Sequence, residues 1–256
     1  MSSITILGSY GAKSDKGGSS AFLLDSKNVL DAGNLLRPLR DESAMIENIW
    51  ITHSHLDHIS DIAYILDNYY EQRVIPLTLR GLPETLKTLK EHFFNNKIWP
   101  DFSVIPLSNA QGMSLIYESV SMNECYPIDE KCIEAFYTDH TVASCGYIIR
   151  DQEKALLISA DTYSLETVID AVLHKSVTTL LIECSFPSHM EALAKASKHL
   201  TPKLLFSQLQ PIEEKKMTLY INHLKPSYEC QIIEEIAMHK GTWDVTILKD
   251  GDKIYF

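Results

Sequence analysis

The chain contains 256 residues, of which 45% are hydrophobic, and it carries a formal net charge of −11 at pH 7. This length and apolar content suffice for a full core, and we expect one compact α/β domain over residues 1–256. Proteins that bind long nucleic acids present basic faces to many phosphates, so the acidic balance argues against long nucleic acids as partners.

The cysteines and the N-terminal segment bear on the cellular compartment. The five cysteines are odd in number and include no Cys-x-x-Cys pair, which predicts free thiols in a reducing environment rather than a disulfide scaffold. No apolar run reaches the roughly 18 residues of a membrane helix, and the N-terminus lacks the basic and apolar regions of a signal peptide. We therefore expect a cytoplasmic protein without a membrane partner.

The first third of the chain alternates short apolar runs with connections rich in glycine and serine. The segment from Gly8 to Ser20 suits either a phosphate-binding loop or a long hairpin, and the pattern favours the hairpin. Apolar spacing and an early proline predict two helices further on. The predicted elements are strands at residues 4–7, 21–24 and 29–33, a helix at 59–70 and a helix that begins at Pro83.

The middle of the chain contains short apolar runs between residues 103 and 149, including 114–117 and 133–137, which predict a second, antiparallel sheet. Strands and helices alternate after residue 155. The last two runs, 243–248 and 253–256, flank Asp250-Gly251 and predict a terminal hairpin. The other predicted elements are strands at 155–159, 179–183 and 218–222 and helices at 165–174, 190–197, 202–209 and 230–239.

The most informative stretch is Thr-His-Ser-His-Leu-Asp-His at residues 52–58. It places three histidines and a carboxylate within six positions, between a strand-like and a helix-like apolar run. Imidazole nitrogen and carboxylate oxygen are ligands for Zn, Mn or Fe at about 2.0 to 2.2 Å. His53 and His55 can point at one ion, and Asp57 and His58 can face a second.

Five polar residues occupy the same position relative to predicted strands. His53, His140, Asp161, Glu183 and His223 each lie at or just beyond the end of an apolar run, where side chains from neighbouring strands can converge on one crevice. Taken singly, His140 suits a semi-buried histidine and Asp161 a helix N-cap. Because each metal ion still lacks an imidazole from outside the loop, we expect His140 and His223 to be ligands.

The His-x-His-x-Asp-His loop resembles that of the metallo-β-lactamase superfamily, which implies a four-layer αββα sandwich. Later motifs resemble more specifically the class II 3′,5′-cyclic-nucleotide phosphodiesterases and, more distantly, the tRNA 3′-end-processing endonucleases. They are Asn-x-x-Ile-Trp-Pro-Asp-Phe at 95–102, Ile-Glu-Cys-Ser-Phe-Pro at 182–187, Ser-Lys-His-Leu-Thr-Pro at 197–202, and His-Leu-Lys-Pro at 223–226 with Tyr228. The chain departs from the phosphodiesterase pattern at Asp61 and Ala63-Tyr64, where a small residue and an apolar run are usual.

The resemblance implies roles for nine residues. The first metal ion would be held by His53, His55 and His140. The second would be held by Asp57, His58 and His223, and Asp161 would bridge the two. His199 would donate a proton and Glu183 would orient it, so that Asp57, Glu183 and His199 form the expected catalytic group. A helix cap is the alternative role for His199.

The expected activity is hydrolysis of a 3′,5′-cyclic nucleotide, cAMP or cGMP, to the 5′-monophosphate. Two divalent ions, Zn²⁺ first with Mn²⁺ or Fe as alternatives, can share a water, lower its pKa from about 15.7 towards 7, and supply a bridging hydroxide that attacks phosphorus. Two such ions, Asp57, Asp161 and the hydroxide leave one positive charge. The expected partner is therefore a small anionic phosphodiester.

Two other functions use the same residues. One is an endonuclease that trims tRNA 3′ ends, against which the acidic balance and the lack of a long Gly/Pro-rich arm argue. The other is a sensor that binds a cyclic nucleotide without cleaving it, against which the complete set of ligand and acid residues argues. A homodimer is possible, and Phe93, Phe94 and Trp99 are candidates for a wall that contacts the base.

Overall fold

The computed structural model describes residues 2–152, 154–215 and 217–256. The strands are β1 (Ser3–Gly8), β2 (Ala21–Leu23), β3 (Asn28–Leu30), β4 (Asn48–Trp50), β5 (Leu77–Gly81), β6 (Leu115–Ser119), β7 (Cys125–Ile128), β8 (Lys131–Tyr137), β9 (Cys145–Asp151), β10 (Lys154–Ile158), β11 (Thr179–Glu183), β12 (Thr218–Asn222), β13 (Asp244–Ile247) and β14 (Lys253–Tyr255). The α-helices are α1 (Leu36–Leu39), α2 (Leu56–Asn68), α3 (Pro83–His92), α4 (Glu166–His174), α5 (Glu191–Ser197), α6 (Pro202–Leu209) and α7 (Glu229–His239). Short 3₁₀ helices span Arg40–Met45, Ser188–Met190, Gln210–Lys215 and Pro226–Tyr228.

The strands form two seven-stranded sheets, in the order β14-β1-β2-β3-β4-β5-β6 and β13-β12-β11-β10-β9-β8-β7. Strands β3 to β6 are parallel in the first sheet, and β10 to β13 are parallel in the second. Their carboxyl ends are therefore aligned within each sheet, which is where open α/β sheets place functional side chains.

Side chains that alternate along the strands define four layers. Leu181 of β11 lies in an apolar cluster with Trp50 and Tyr147, which come from the two different sheets. Its neighbours Leu180 and Ile182 lie instead in the cluster that packs against α4, α6 and α7. A third cluster packs α2 and α3 on the outer face of the first sheet. The predicted αββα sandwich is thereby confirmed.

Helix α2 places the histidine loop on the first sheet. It begins at Leu56, three residues before the predicted start, so Asp57 and His58 lie in its first turn. Ile59, Ile62 and further apolar residues on the same face are buried, which fixes the rotation of the helix. With 13 residues it is the longest helix of the described ranges, where no helix is long and apolar enough to cross a bilayer.

The predicted terminal hairpin is wrong. Strand β13 pairs in parallel with β12 of the second sheet, whereas β14 pairs antiparallel with β1 of the first sheet. The turn between them is held by Asp250, whose carboxylate accepts hydrogen bonds from Ser9 N, Ser9 Oγ and Gly18 N at 2.8 to 2.9 Å. Contacts with residues far away in sequence therefore override the local turn preference.

Two further expectations need correction. The apolar run at 114–117 lies in β6, at the edge of the first sheet, rather than in the second sheet. Cys125 and Cys132, on the two strands of the β7–β8 hairpin, form a disulfide, so they are not free thiols. Cys145, Cys184 and Cys230 are free, as predicted.

The connection at residues 8–20 is the long hairpin that the sequence favours, because β1 and β2 pair antiparallel on either side of it.

Candidate metal centre

Both sheets supply side chains to one buried centre. His53 follows β4 and His58 begins α2, both on the first sheet. His140, Asp161 and His223 follow strands β8, β10 and β12 of the second sheet. The convergence that the strand ends predicted is present, because Asp161 lies within 4.0 Å of all four of these histidines.

The first group of donors consists of His53, His55, His140 and Asp161. His55 Nδ1 lies 3.1 Å from the Nε2 atoms of both His53 and His140. Asp161 Oδ2 lies 3.6 Å from His53 Nε2 and 4.0 Å from His140 Nε2. Four donor atoms thus face one small volume, as a metal ion requires.

The second group consists of Asp57, His58 and His223, again with Asp161. The Nε2 atoms of His58 and His223 are 3.3 Å apart, and His223 Nε2 lies 3.6 Å from Asp57 Oδ2. Asp161 faces this group with both oxygens, since Oδ2 lies 3.3 Å from His58 Nε2 and Oδ1 lies 3.2 Å from His223 Nε2. Asp161 is therefore shared by the two groups.

Asp31 determines which nitrogen of two histidines carries the proton. Its Oδ2 lies 2.7 Å from His58 Nδ1, and because the carboxylate only accepts, His58 Nδ1 donates. Thr52 Oγ1 donates to Asp31 at 2.9 Å and lies 3.0 Å from His53 Nδ1, so it accepts from that nitrogen. In both rings the unprotonated Nε2 then faces the centre.

His140 and His223 are oriented by partners on other loops. His140 Nδ1 donates to the Lys198 carbonyl oxygen at 3.1 Å, and His223 Nδ1 lies 2.9 Å from Ser185 Oγ. With both Nδ1 atoms in these hydrogen bonds, Nε2 of each ring faces the centre. Metal-binding histidines in proteins commonly use their second nitrogen in this way.

The donor set fits divalent metal ions. His58 and His223 each use Nδ1 in a hydrogen bond, and the Nε2 atoms of the neutral rings, 3.3 Å apart, would repel one another through their lone pairs unless a cation lay between them. Neutral imidazole with carboxylate is the donor combination that Zn, Mn and Fe accept. The geometry therefore supports divalent metal binding by this cluster.

The pKa shifts of the buried histidines and of Asp161 bear on metal binding. Burial lowers the pKa of His53 well below its ordinary value and lowers the pKa of His140 to about 4. Burial also acts to lower the pKa of His58, but Asp161 and Asp31 outweigh it and raise that pKa, so this position attracts positive charge. Burial acts to raise the pKa of Asp161, but the charges of His223 and His58 hold it well below its usual range. Neutral His53 and His140 and ionised Asp161 are the forms that bind metal ions, and the raised pKa of His58 marks a position where the carboxylates stabilise a cation.

The predicted acid pair lies beside the donor groups. His199 Nδ1 is 2.8 Å from Glu183 Oε1, and both residues are buried. Burial acts to lower the pKa of His199, but the charge of Glu183 and this hydrogen bond raise it above its ordinary value. His199 Nδ1 lies 4.0 Å from Asp161 Oδ2, so the imidazole borders the centre. Leu165 rather than Asp161 precedes α4 as its N-cap, so Asp161 does not cap that helix. The backbone N–H of His199 donates to the Ala194 carbonyl oxygen at 2.8 Å, so its main chain caps the end of α5 while its side chain binds Glu183.

Three partner residues were not among the sequence candidates. Asp31, Thr52 and Ser185 are at most 1% exposed, and each contacts a histidine of the centre. In the sequence Asp31 falls within the apolar run predicted as the strand at 29–33, and Ser185 lies in the 182–187 motif. Their partners are distant in sequence, so no local pattern indicates the contacts.

Asp61, where the chain departs from the phosphodiesterase pattern, has a structural role. Its buried carboxylate accepts hydrogen bonds from Leu35 N at 2.7 Å, Leu36 N at 3.1 Å and Lys13 Nζ at 2.6 Å. It thereby holds the start of α1 and the residue 8–20 connection against α2. The presence of Asp61 instead of a small residue therefore does not displace the donor atoms of the centre.

Glycines allow two loops to approach the centre. A Cβ atom on Gly33 would lie 2.0 Å from the Asp57 carbonyl oxygen, and one on Gly11 would lie 2.7 Å from the His223 ring. Side chains at these positions would displace Asp57 or His223.

The three aromatic residues predicted to contact the base lie in the core of the first sheet. Phe94 is fully buried in the apolar cluster under α2 and α3, so it cannot face a substrate. Phe93 and Trp99 are partly buried against the same cluster.

Comparison with solved structures identifies the fold class of the protein. A metallo-β-lactamase fold protein of Bacillus subtilis, YhfI, superposes with a TM-score of 0.77 at 16% identity over 98% of both chains. Unliganded yeast PDE1 gives 0.80 at 21% identity over 99% of both chains. The short form of human tRNase Z gives 0.70 at 17% identity over 99% of this chain and 98% of its own. The protein therefore has the metallo-β-lactamase fold, with a His/Asp cluster suited to divalent metal.

The family profile described as cAMP phosphodiesterases class-II matches residues 22–233, and the chain belongs to this family. The 3′,5′-cyclic-nucleotide phosphodiesterase 1 of Saccharomyces cerevisiae is 27% identical over 215 residues, 74% of this chain and 56% of that protein. A probable 3′,5′-cyclic-nucleotide phosphodiesterase of Yersinia pestis is 24% identical over 216 residues, 72% of this chain and 58% of that protein. The alignments thus span little more than half the length of these curated relatives. The family resemblance of the sequence motifs is confirmed.

Proposed function

We propose that the protein is a metal-dependent phosphodiesterase with two metal ions that hydrolyses 3′,5′-cyclic nucleotides to 5′-monophosphates. The observation that carries the proposal is Asp161, whose two oxygens face two separate groups of imidazole donors. Family membership supports the substrate class. Because both sheets contribute donors to this one centre, we further propose that residues 1–256 act as one hydrolase domain.

The donor residues of the chain would divide between two metal positions. His53, His55 and His140 would hold one ion, and Asp57, His58 and His223 the other, with Asp161 between them. Zn²⁺ suits this donor set, and Mn²⁺ or Fe are alternatives. Bound divalent ions would lower the pKa of a shared water towards 7 and neutralise phosphate oxygens.

In the proposed mechanism, His199 would protonate the departing 3′-oxygen. Its Nδ1 is engaged by Glu183 at 2.8 Å, so Nε2 carries the proton that can be transferred. The Glu183 charge favours the protonated imidazole, which is the form a general acid needs. Glu183 itself accepts from Thr162 N and Leu200 N, which keeps the carboxylate fixed.

Charge balance assigns Lys225 a role in binding the substrate. The carboxylates of Asp31, Asp57, Asp161 and Glu183 all lie at the centre, and together they cancel the charge of two divalent ions. With the hydroxide counted as well, the centre carries one negative charge, and protonated His199 and Lys225 would together restore the one positive charge that attracts a phosphodiester. Lys225 Nζ lies 4.0 Å from Asp57 Oδ2 and its side chain is 24% exposed, so the ammonium borders the open side of the site.

Replacing this ammonium tests its contribution. We expect Lys225→Met to lower kcat/KM for a cyclic nucleotide by about 10- to 100-fold, mainly through KM, because a hydrogen bond to a charged group contributes about 1.5–3 kcal/mol. Lys225→Arg keeps the charge and should lose less. Lys225 also donates to the Gly11 carbonyl oxygen, so metal content is measured in both variants to detect a displaced loop. Equal KM values in the Met variant and the wild type would exclude substrate binding by Lys225.

The proposed function is tested by metal analysis and a substrate panel. Purified protein should contain two metal ions per chain, and it should convert cAMP or cGMP to the 5′-monophosphate faster than it cleaves an aryl phosphodiester or a tRNA precursor. Chelation should abolish turnover. Preferential cleavage of the tRNA precursor, with affinity that falls by orders of magnitude between about 50 and 200 mM salt, would indicate the endonuclease function instead. A cyclic nucleotide that stays bound and intact for hours would indicate a sensor.

A further inference from the structure

Ser185 connects the acid pair to the second group of metal donors. It lies two residues after β11 and is fully buried. Its Oγ is 2.8 Å from Glu183 Oε2 and 2.9 Å from His223 Nδ1. The other oxygen of Glu183 binds His199 Nδ1, so one carboxylate serves both histidines.

The single proton of the Ser185 hydroxyl has one best acceptor. The Glu183 carboxylate cannot donate, and as a charged acceptor at 2.8 Å it is preferred over the His223 carbonyl oxygen, which lies 3.1 Å from the same Oγ. The hydroxyl therefore donates to Glu183 and uses a lone pair to accept from His223 Nδ1. Its oxygen also lies 3.2 Å from His199 Nδ1, whose shorter hydrogen bond, at 2.8 Å, is to Glu183 Oε1. In the neutral ring, the form that binds a metal ion, Nε2 then keeps its lone pair and lies 3.2 Å from Asp161 Oδ1.

We propose that Ser185 is a positioning residue that holds His223 in the tautomer and orientation required for the second metal ion and couples this ligand to the Glu183–His199 pair. The proposal rests on the proposed function for the existence of two metal positions. His53, His55 and His140 hydrogen-bond to Thr52, Thr141 and the Lys198 carbonyl oxygen rather than to Ser185, so loss of the hydroxyl should affect one metal position and spare the other. A hydroxyl that merely stabilises the fold would not discriminate between them.

The test compares Ser185→Ala with Ser43→Ala, which removes another fully buried serine hydroxyl, one that lies 3.5 Å from the Leu35 carbonyl oxygen and outside the centre. In metal-buffered titrations, Ser185→Ala should bind the second Zn²⁺ about 10- to 100-fold more weakly, with the first unchanged. Ser43→Ala should bind both ions like the wild type. Unchanged affinity for both ions in Ser185→Ala, or an equal loss of both, would overturn the proposal.

A second measurement needs no metal. In protein freed of metal with a chelator, the ¹⁵N shifts of the His223 ring should show a protonated Nδ1 in the wild type and in Ser43→Ala, and loss of that preference in Ser185→Ala. An unchanged His223 tautomer in Ser185→Ala would overturn the positioning role. If the wild type binds fewer than two ions, the proposed function fails, and the ring shifts still decide the role of Ser185.

Discussion

Replacing His199 with alanine should lower kcat for a cyclic nucleotide by about 10²- to 10⁴-fold while both metal ions are retained, because a general acid contributes this much to the departure of a poor leaving group. His199, Asp161 and His223 lie close enough together to be considered a metal site of their own. The nitrogen of His199 nearest to Asp161, however, is the one hydrogen-bonded to Glu183 at 2.8 Å, so it is not free to bind an ion. Turnover and metal content are therefore measured on the same sample.

His174→Ala is the matched control, since this exposed histidine lies outside the centre and hydrogen-bonds to Asp170 of its own helix. It should leave both turnover and metal content unchanged. Glu183→Gln should reduce kcat less than His199→Ala, because the imidazole remains and only the charge that favours its protonation is lost. Loss of a metal ion from His199→Ala would make His199 a ligand, and full turnover with full metal content would remove it from the mechanism.

Asp161→Asn should reduce kcat/KM by about 10³-fold or more and weaken metal binding at both positions. The carboxylate is the only described side chain with oxygens near both donor groups, at 3.2 Å from His223 Nε2 and 3.6 Å from His53 Nε2. A neutral amide leaves the imidazole groups without the shared negative charge, and loss of metal removes several kcal/mol of transition-state stabilisation.

Metal titration and steady-state kinetics check this result against Asp170→Asn, which alters an exposed carboxylate on α4 and should behave like the wild type. Weaker binding at only one position would place Asp161 in a single metal site rather than between two. Wild-type affinity at both positions would contradict the role of Asp161 altogether.

Local sequence determined the elements that later form the site. The bounds of β11, β12 and α6 match the predicted ranges, because each is a continuous apolar strand or a helix opened by proline at its first turn. The spacing of His53, His55, Asp57 and His58 is likewise local, since these four donors occupy one loop and the first turn of one helix. The motif therefore predicted metal binding before any long-range contact was known.

Tertiary structure alone decided how the donors are oriented. Asp31 and His58 are 27 residues apart, Ser185 and His223 are 38 apart, and Ser9 and Asp250 are 241 apart. Each contact depends on which strands become neighbours, and that is set by burial of whole faces rather than by any local pattern. The terminal hairpin failed as a prediction for the same reason, because β13 and β14 gain more from completing two different sheets than from pairing with each other.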